Sequence, residues 1–268
     1  MGFEIKGDYS DSNPGIEHGL KTFLAYKDYR GVFDSVNVHF PDTKEIEKQL
    51  SKGFQYLKYY YPNYHEPKII YIVSGLNNWG AFTFDDNTLA IGLDMFLGKN
   101  YPFYKSVGLP DYLDPYFSPD YIPVAAFSAI YNEMQPFDKD KPLLDMMIQK
   151  GKMQYFLSKV VPFVADTTRF GYSENQLKWC EASEGEIYNF FIKENLLYES
   201  SQQRVLRYVT DGPNSTGMPD QSPGNIGMWI GYRIVLSYMK QYPSTTMEQL
   251  FNNTDAQKLL EQAKYKPK

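Results

Sequence analysis

The chain has 268 residues, a hydrophobic content of 43% and a net charge of −5, with 27 basic and 32 acidic side chains. This length and apolar content predict one large domain with a substantial core. The acidic balance argues against a nucleic-acid or anionic-membrane binder. No apolar stretch reaches the roughly eighteen residues of a transmembrane helix. A single cysteine, Cys180, excludes an intramolecular disulfide and is predicted to be a buried thiol.

The first part of the chain is predicted to be helical. Residues 1–14 are polar and have the composition of a flexible lead-in. Apolar side chains then recur with helical spacing over residues 15–65. Asp42 and Glu45 have the spacing of a capping pair, and Pro62 ends the helix that they would begin.

A small sheet follows over residues 68–93. Residues 68–74 are β-branched and apolar between Pro67 and Gly75, as in a buried strand. A turn at 77–80 and a second turn at Asp85 separate two further predicted strands. The short connections predict an antiparallel meander.

The remaining residues, 94–268, are predicted to be mostly helical. Ser118 followed by Pro119 begins a helix to about Met134, and a second helix runs over 142–161. A third helix is expected from Ser222 after a Gly/Pro/Asn/Ser-rich loop, 210–222, which is the loop predicted to be mobile or functional. Two more capping boxes are predicted for the last helices, at Thr245 with Glu248 and at Thr254 with Gln257. The chain therefore reads as one α+β domain, 15–268, that is mostly α.

The stretch 173–198 is predicted to be a single long amphipathic helix at the centre of the fold. Ser173 and Gln176 form a capping box at its start. One face carries apolar or small side chains at helical spacing, namely Leu177, Cys180, Ser183, Ile187, Phe190 and Phe191. Glu184 and Tyr188 lie one turn apart on this helix, which we expect to form one wall of any site.

Few residues carry the chemistry of a catalytic site. The only three histidines, His18, His39 and His65, all precede the sheet, so a histidine-based catalytic or metal site must be built from the first helices. No Gly-rich phosphate loop and no Gly-x-Ser-x-Gly motif is present. A carboxylate pair needs no motif, and the candidates for one are Asp94, Glu133, Glu181, Glu184 and Glu186.

A further helix, after residue 222, carries Gly227 and Gly231 four residues apart. This spacing indicates a narrow face that another helix approaches closely. Tyr232 and Arg233 follow directly and are candidates for contact with an anion or a peptide.

Several separated blocks of the sequence resemble the GldB family of gliding-motility lipoproteins. These are IGLDMFLGKNYPFY (91–104), FSPDYIP (117–123), QLKWCEASEGEIYNFF (176–191), SPGNIGMWIGYRIVLSYM (222–239) and DAQKLLEQAKYKPK (255–268). The resemblance implies an exported lipoprotein of the cell envelope, facing the periplasm or anchored in the outer membrane, whose signal segment and lipid anchor are missing from this sequence. The anchor would be its only contact with the membrane.

The family in turn resembles the gluzincin zinc peptidases, and this implies a degenerate zincin-like architecture. In those enzymes a His-Glu-x-x-His helix follows a small sheet, but here 124–130 reads VAAFSAI. Glu184-Gly185 with Tyr188 resembles their Glu-Gly-x-x-x-Tyr pattern, which supplies the third metal ligand. One carboxylate does not make a zinc site, so neither a metal nor another cofactor is expected.

The hypothesis that follows is a non-catalytic envelope protein that binds a partner protein or peptide in the former cleft. Its predicted wall residues are Glu184, Tyr188, Tyr232 and Arg233, with no catalytic residue. The alternatives are a carboxylate hydrolase acting on glycans and, last, an active zinc peptidase.

Overall fold

A computed structural model describes residues 14–76 and 80–267. The predicted lead-in, apart from Pro14, lies outside the described residues, as does 77–79 of the predicted first turn. Among the helices in the described ranges, none has both the length and the apolar composition needed to cross a bilayer.

Three helices begin the described chain, and the predicted helical character of this part is confirmed. They are α1 (Pro14–Ala25), α2 (Lys27–His39) and α3 (Lys44–Tyr60). The predicted capping pair of α3 is wrong, because Thr43 and not Asp42 is the residue that precedes the helix. Asp42 instead accepts a hydrogen bond from the backbone N–H of Lys44.

The sheet is mixed, so the predicted antiparallel meander is wrong for one of its two pairings. The strands are β1 (Lys68–Ile72), β2 (Ala81–Phe84) and β3 (Thr88–Gly92), in the order β1-β3-β2. A short turn joins β2 to β3 as an antiparallel pair, whereas β1 lies parallel to β3.

Asp94 explains the parallel pairing. Its buried carboxylate accepts hydrogen bonds from the backbone N–H groups of Ser74 and Leu76, at 2.7 to 3.1 Å, and from the Ser74 hydroxyl. Asp94 follows the end of β3 and Ser74 follows the end of β1. These bonds therefore hold the C-terminal ends of β1 and β3 side by side, as a parallel pairing requires.

The rest of the chain is helical, which confirms an α+β fold that is mostly α. The helices are α4 (Pro102–Ser106), α5 (Ile122–Met134), α6 (Leu143–Val160), α7 (Asp166–Phe170), α8 (Glu174–Ala182), α9 (Glu184–Lys193), α10 (Gln202–Val205), α11 (Ile226–Gln241), α12 (Met247–Asn252) and α13 (Ala256–Ala263). Short 3-10 turns occur at Leu93–Phe96, Asp111–Phe117, Pro119–Tyr121 and Leu206–Tyr208.

The predicted single central helix is two helices, α8 and α9. The capping box of Ser173 and Gln176 is confirmed. Ser183 leaves helical geometry, with φ −108° and ψ 17°, and separates the two helices. Serine is a weak helix former because its hydroxyl competes for backbone hydrogen bonds. The break lets Glu184 begin α9 as a buried side chain.

Helices α6 and α11 form the closest packing in the described fold. A Cβ built on Gly231 would lie 1.8 Å from the carbonyl oxygen of Met147, and one on Gly151 would lie 2.2 Å from the carbonyl carbon of Gly231. Similarly, a Cβ built on Gly227 would lie 2.8 Å from the carbonyl oxygen of Tyr208. The close approach predicted from the glycine spacing is confirmed.

The predicted starts of the last helices are displaced along the chain. Helix α11 begins after Asn225, which has φ 57°, and not at Ser222. The capping box of α12 uses Thr246 and Gln249, and α13 is capped by Asp255. A one-residue error of this kind arises where two adjacent residues both suit a cap, as with two threonines in succession.

Candidate functional site

Three of the four residues predicted for the site lie together, around the carboxylate of Glu184. Arg233 on α11 donates from Nε to Oε1 and from Nη2 to Oε2 of Glu184, both at 3.1 Å. Tyr265, beyond α13, donates its hydroxyl proton to Oε1 at 2.8 Å. The ring of Tyr188 packs edge-on against that of Tyr265, with centroids 5.1 Å apart. Tyr265 is a member of this cluster that the sequence reasoning missed.

Tyr232, the fourth predicted residue, lies in a different environment. Its ring packs against Phe170, with centroids 5.5 Å apart, and under the guanidinium of Arg169 at 4.8 Å. Consecutive residues of a helix point in different directions, so Tyr232 and Arg233 contact different parts of the core. The structure does not bring Tyr232 to Glu184.

The Glu184 cluster has the character of a structural tie. Glu184 is 3% exposed, and both of its oxygens accept hydrogen bonds from side chains of the protein. The bonds join α9 to α11 and to the C-terminal segment. Burial and the bond to Glu184 raise the pKa of Tyr265 well above its ordinary value of 10.0, so its hydroxyl stays protonated and continues to donate.

The other carboxylates considered for catalysis are either bound to the backbone or exposed. Asp94 is committed to the backbone after β1. Glu133, Glu181 and Glu186 are exposed. Within the described ranges, no group of three or more His, Cys, Asp or Glu side chains is arranged to hold a metal ion. The structure therefore offers no specific support for the hydrolase alternative.

A cavity of about 780 Å³ lies elsewhere in the molecule, and none of the four predicted residues lines it. It lies between α5 and α6 and is closed by the segments 109–121, 135–141 and 251–256. The exposed residues at 135–141 mark its mouth. Its wall is largely aromatic and aliphatic, including Phe96, Phe117, Tyr121, Tyr131, Ile148, Met153, Phe170, Met228 and Phe251.

Helix α5 forms one wall with Ser128, Tyr131 and Asn132. This is the helix that the peptidase resemblance placed at the metal site. Helix α6 forms the opposite wall, and it carries apolar residues on nearly all of its faces because it is buried between α5 and α11. The few charged residues of α6 therefore stand out, and three of them, Asp145, Lys150 and Lys152, line the cavity.

Two lysines of α6, Lys150 and Lys152, are cations among the largely apolar side chains of the cavity. Lys152 is 6% exposed and donates from Nζ to the backbone carbonyl of Asn253 at 2.6 Å. Burial lowers its pKa from 10.5 to about 8, although Asp145 acts in the opposite direction. Lys150 lies with its Nζ 4.8 Å from the centroid of the Phe137 ring at the mouth. Burial lowers the pKa of Lys150 as well, and the charge of Asp211 opposes that shift.

A polar cluster around Asp211 forms another part of the wall. The hydroxyl of Tyr116 and the amide Nδ2 of Asn225 both donate to Oδ1 of Asp211, each at 3.0 Å. The rings of Tyr116 and Tyr121 pack edge to face, with centroids 4.9 Å apart. Burial, followed by the charge of Asp211, raises the pKa of both tyrosines above 10.0, so their hydroxyls remain neutral donors.

Arg169 closes the wall between these groups, but its charge is already neutralised. It is 2% exposed and donates to Asp166 at 2.7 Å and to both the backbone carbonyl and the side-chain oxygen of Gln154. Its guanidinium lies 4.5 Å from the ring centroid of Phe170. Arg169 therefore holds the cavity wall in place.

A surface groove of about 1410 Å³ adjoins the cavity. It runs along the segments 97–102 and 111–118, then past 171–176 to 211–213. Tyr116 and Asp211 line both the groove and the cavity, so the two features meet there.

The loop 210–222, predicted to be mobile or functional, lies beside this junction. Its Ser215 and Ser222 are fully buried, and the backbone N–H of Ser215 donates to the Ser222 hydroxyl at 3.1 Å. The Ser215 hydroxyl donates to the carbonyl of Pro223 at 2.7 Å. The loop is thus tied to the start of α11, and it presents Asp211 to both spaces.

Sequence reasoning missed the cavity and its polar groups because they come from segments far apart in the chain. One local signal was present. Lys150 and Lys152 lie in the middle of a largely buried helix, and charged residues there require a specific partner.

Comparison with known proteins identifies a family over nearly the whole chain. Residues 3–267 match the family model described as gliding motility protein GldB, and the chain belongs to this family. No curated protein matches the sequence. No solved structure matches it either. The descent from zinc peptidases stays a prediction.

Proposed function

We propose that this member of the gliding motility protein GldB family is a non-catalytic binding component of the cell envelope. It holds a polypeptide segment of a partner in the cavity between α5 and α6. The lipoprotein character of the family supports the envelope location, and on this proposal a lipid anchor is the only attachment to the membrane.

The observation that carries the proposal is the cavity itself. Its volume of about 780 Å³ is in the range of sites that bury an entire ligand. The wall combines aromatic and aliphatic side chains with polar and charged groups, several of which are held by hydrogen bonds within the protein, and such a combination suits a binding site. The Glu184 carboxylate, by contrast, is fully occupied by Arg233 and Tyr265.

The junction with the groove favours a polypeptide over a compact ligand. Because Tyr116 and Asp211 line both spaces, an extended chain that places a side chain in the cavity continues along the groove. Aromatic walls such as those of Tyr121 and Tyr131 supply a large contact area at little cost in conformational entropy.

Site-specific photo-crosslinking in envelope preparations tests this proposal. A benzophenone amino acid replaces Phe137 at the mouth of the cavity or, as a control, Val38, which is 83% exposed on α2 and does not line the cavity. We expect discrete adducts of polypeptide mass from position 137 and not from position 38.

Filling the cavity provides the second arm of the test. Ser128→Phe adds a ring to the α5 wall and should abolish the adducts. Ser51→Phe, at an exposed position on α3, is the matched control and should leave them unchanged. Equal adducts from positions 137 and 38, or adducts that persist in a folded Ser128→Phe variant, would contradict the proposal.

A further inference from the structure

Asp211 is an incompletely satisfied carboxylate at the junction of cavity and groove. Both of its hydrogen bonds, from Tyr116 and Asn225, are to Oδ1. Within the part of the chain that the structure describes, Oδ2 accepts no hydrogen bond and no basic side chain pairs with Asp211. Residue 211 is exposed, so a ligand reaches this carboxylate.

Asn225 provides a second acceptor without a partner beside it. The residue lines the cavity, is 5% exposed, and has no partner for its Oδ1 among the described residues. Its amide orientation is fixed, since a reversed amide would place its oxygen against Oδ1 of Asp211. Buried polar atoms are nearly always hydrogen-bonded in native proteins, so an unpaired acceptor here indicates a donor supplied from outside the chain.

The groove that leads to these acceptors is acidic. Four carboxylates line it, from Asp111, Asp114, Glu174 and Asp211, against one basic residue, Lys99. Asp111 pairs with Lys105 and Glu174 pairs with Lys178. Asp114 and Asp211 have no ion-pair partner among the residues described.

Among the residues that the structure describes, no basic side chain of the cavity forms an ion pair with Asp211. Arg169 is committed to Asp166, and the ammonium of Lys152 donates to Asn253. Lys150 stacks on Phe137 at the mouth, and the charge of Asp211 acts on it without a direct ion pair between the two side chains. The charge of the groove and the two free acceptors therefore indicate a cationic group that also donates hydrogen bonds.

We propose that Asp211 anchors an ammonium group of the bound polypeptide, with Asn225 Oδ1 as its second acceptor. The ammonium belongs to a lysine side chain or to the amino terminus, and neighbouring apolar side chains enter the cavity. This inference rests on the proposed function and names the chemistry of the segment that is recognised.

Matched peptides test the inference by titration calorimetry. One probe is an acetylated peptide with a lysine between two phenylalanines, and the second has norleucine in place of the lysine. A third probe is the norleucine peptide with a free amino terminus. Since charge-assisted hydrogen bonds are among the stronger ones in proteins, we expect at least one ammonium peptide to bind about ten-fold tighter than the capped norleucine peptide. The peptide that does so identifies the source of the ammonium.

The variants assign this preference to Asp211. Asp211→Asn keeps the shape of the side chain and should abolish the preference for the ammonium peptides over the capped norleucine peptide. Asp220→Asn is the matched control on the same loop, because Asp220 is exposed and lines neither space. Asn225→Gly accepts the left-handed backbone without strain and should reduce the preference several-fold.

The outcomes separate the two proposals. Equal binding of all three peptides, or a preference that persists in Asp211→Asn, would overturn the ammonium site and leave cavity binding intact. The ammonium site would also be overturned if a peptide with glutamate in place of the lysine bound more tightly than the lysine peptide. If no peptide binds the wild-type protein, the proposed function fails together with the inference.

Discussion

The tie between Glu184 and Arg233 makes a quantitative prediction that separates a structural role from a functional one. Arg233→Leu removes both guanidinium bonds and leaves Glu184, at 3% exposure, with only the Tyr265 hydroxyl. A buried carboxylate that loses its cation costs about 3–5 kcal/mol in unfolding free energy. Glu184→Leu should cost less, about 1–2 kcal/mol, because the Arg233 side chain is 33% exposed and water can solvate its charge.

Urea denaturation near pH 7 measures both costs, and the double variant completes the thermodynamic cycle. We expect the Arg233→Leu/Glu184→Leu protein to be more stable than Arg233→Leu alone, since two packed apolar side chains replace an uncompensated charge. Equal costs for the two single variants would refute the reasoning from burial. Added zinc provides a second test. If zinc raised the melting temperature of the wild type but not that of Glu184→Leu, Glu184 would be a metal ligand, and the structural role would be refuted.

Three further predictions follow from packing and titration. Gly231→Ala should lower the melting temperature by several degrees, because its Cβ would lie 1.8 Å from a backbone oxygen. The control is Gly31→Ala on α2, where an added Cβ meets no atom within 4 Å, and this variant should raise the melting temperature slightly. The opposite order of the two melting temperatures would contradict the packing argument. The pKa of Lys152 is about 10.5 in the unfolded chain and about 8 in the folded protein. Between these pH values the unfolded chain binds more protons, so the unfolding free energy of the wild type should rise by about 3 kcal/mol relative to that of Lys152→Met. Urea titrations across this pH range test the prediction, and a difference between the two proteins that does not change with pH would refute it. Burial raises the pKa of the Cys180 thiol, so a thiol reagent should label it only after denaturation, and rapid labelling of the native protein would show that the thiol is accessible.

Local patterns in the sequence determined the class of the fold and several of its contacts. Helical spacing, the capping box of Ser173 and Gln176, and the burial of Cys180 depend on neighbours along the chain, and the structure confirms each of them. The glycine spacing on α11 likewise predicted a close helix contact, because only the absence of a Cβ permits it. The GldB resemblance over separated blocks was also confirmed.

The tertiary structure decided strand direction, the break in the central helix and the position of the cavity. Strand β1 lies parallel to β3 because Asp94 binds the backbone twenty residues earlier, and strand periodicity carries no information on such a contact. The break at Ser183 accompanies the turning of Glu184 towards Arg233 on a distant helix. The cavity lies between α5, α6 and loops that are far apart in the sequence, so its polar groups become neighbours only when those elements pack.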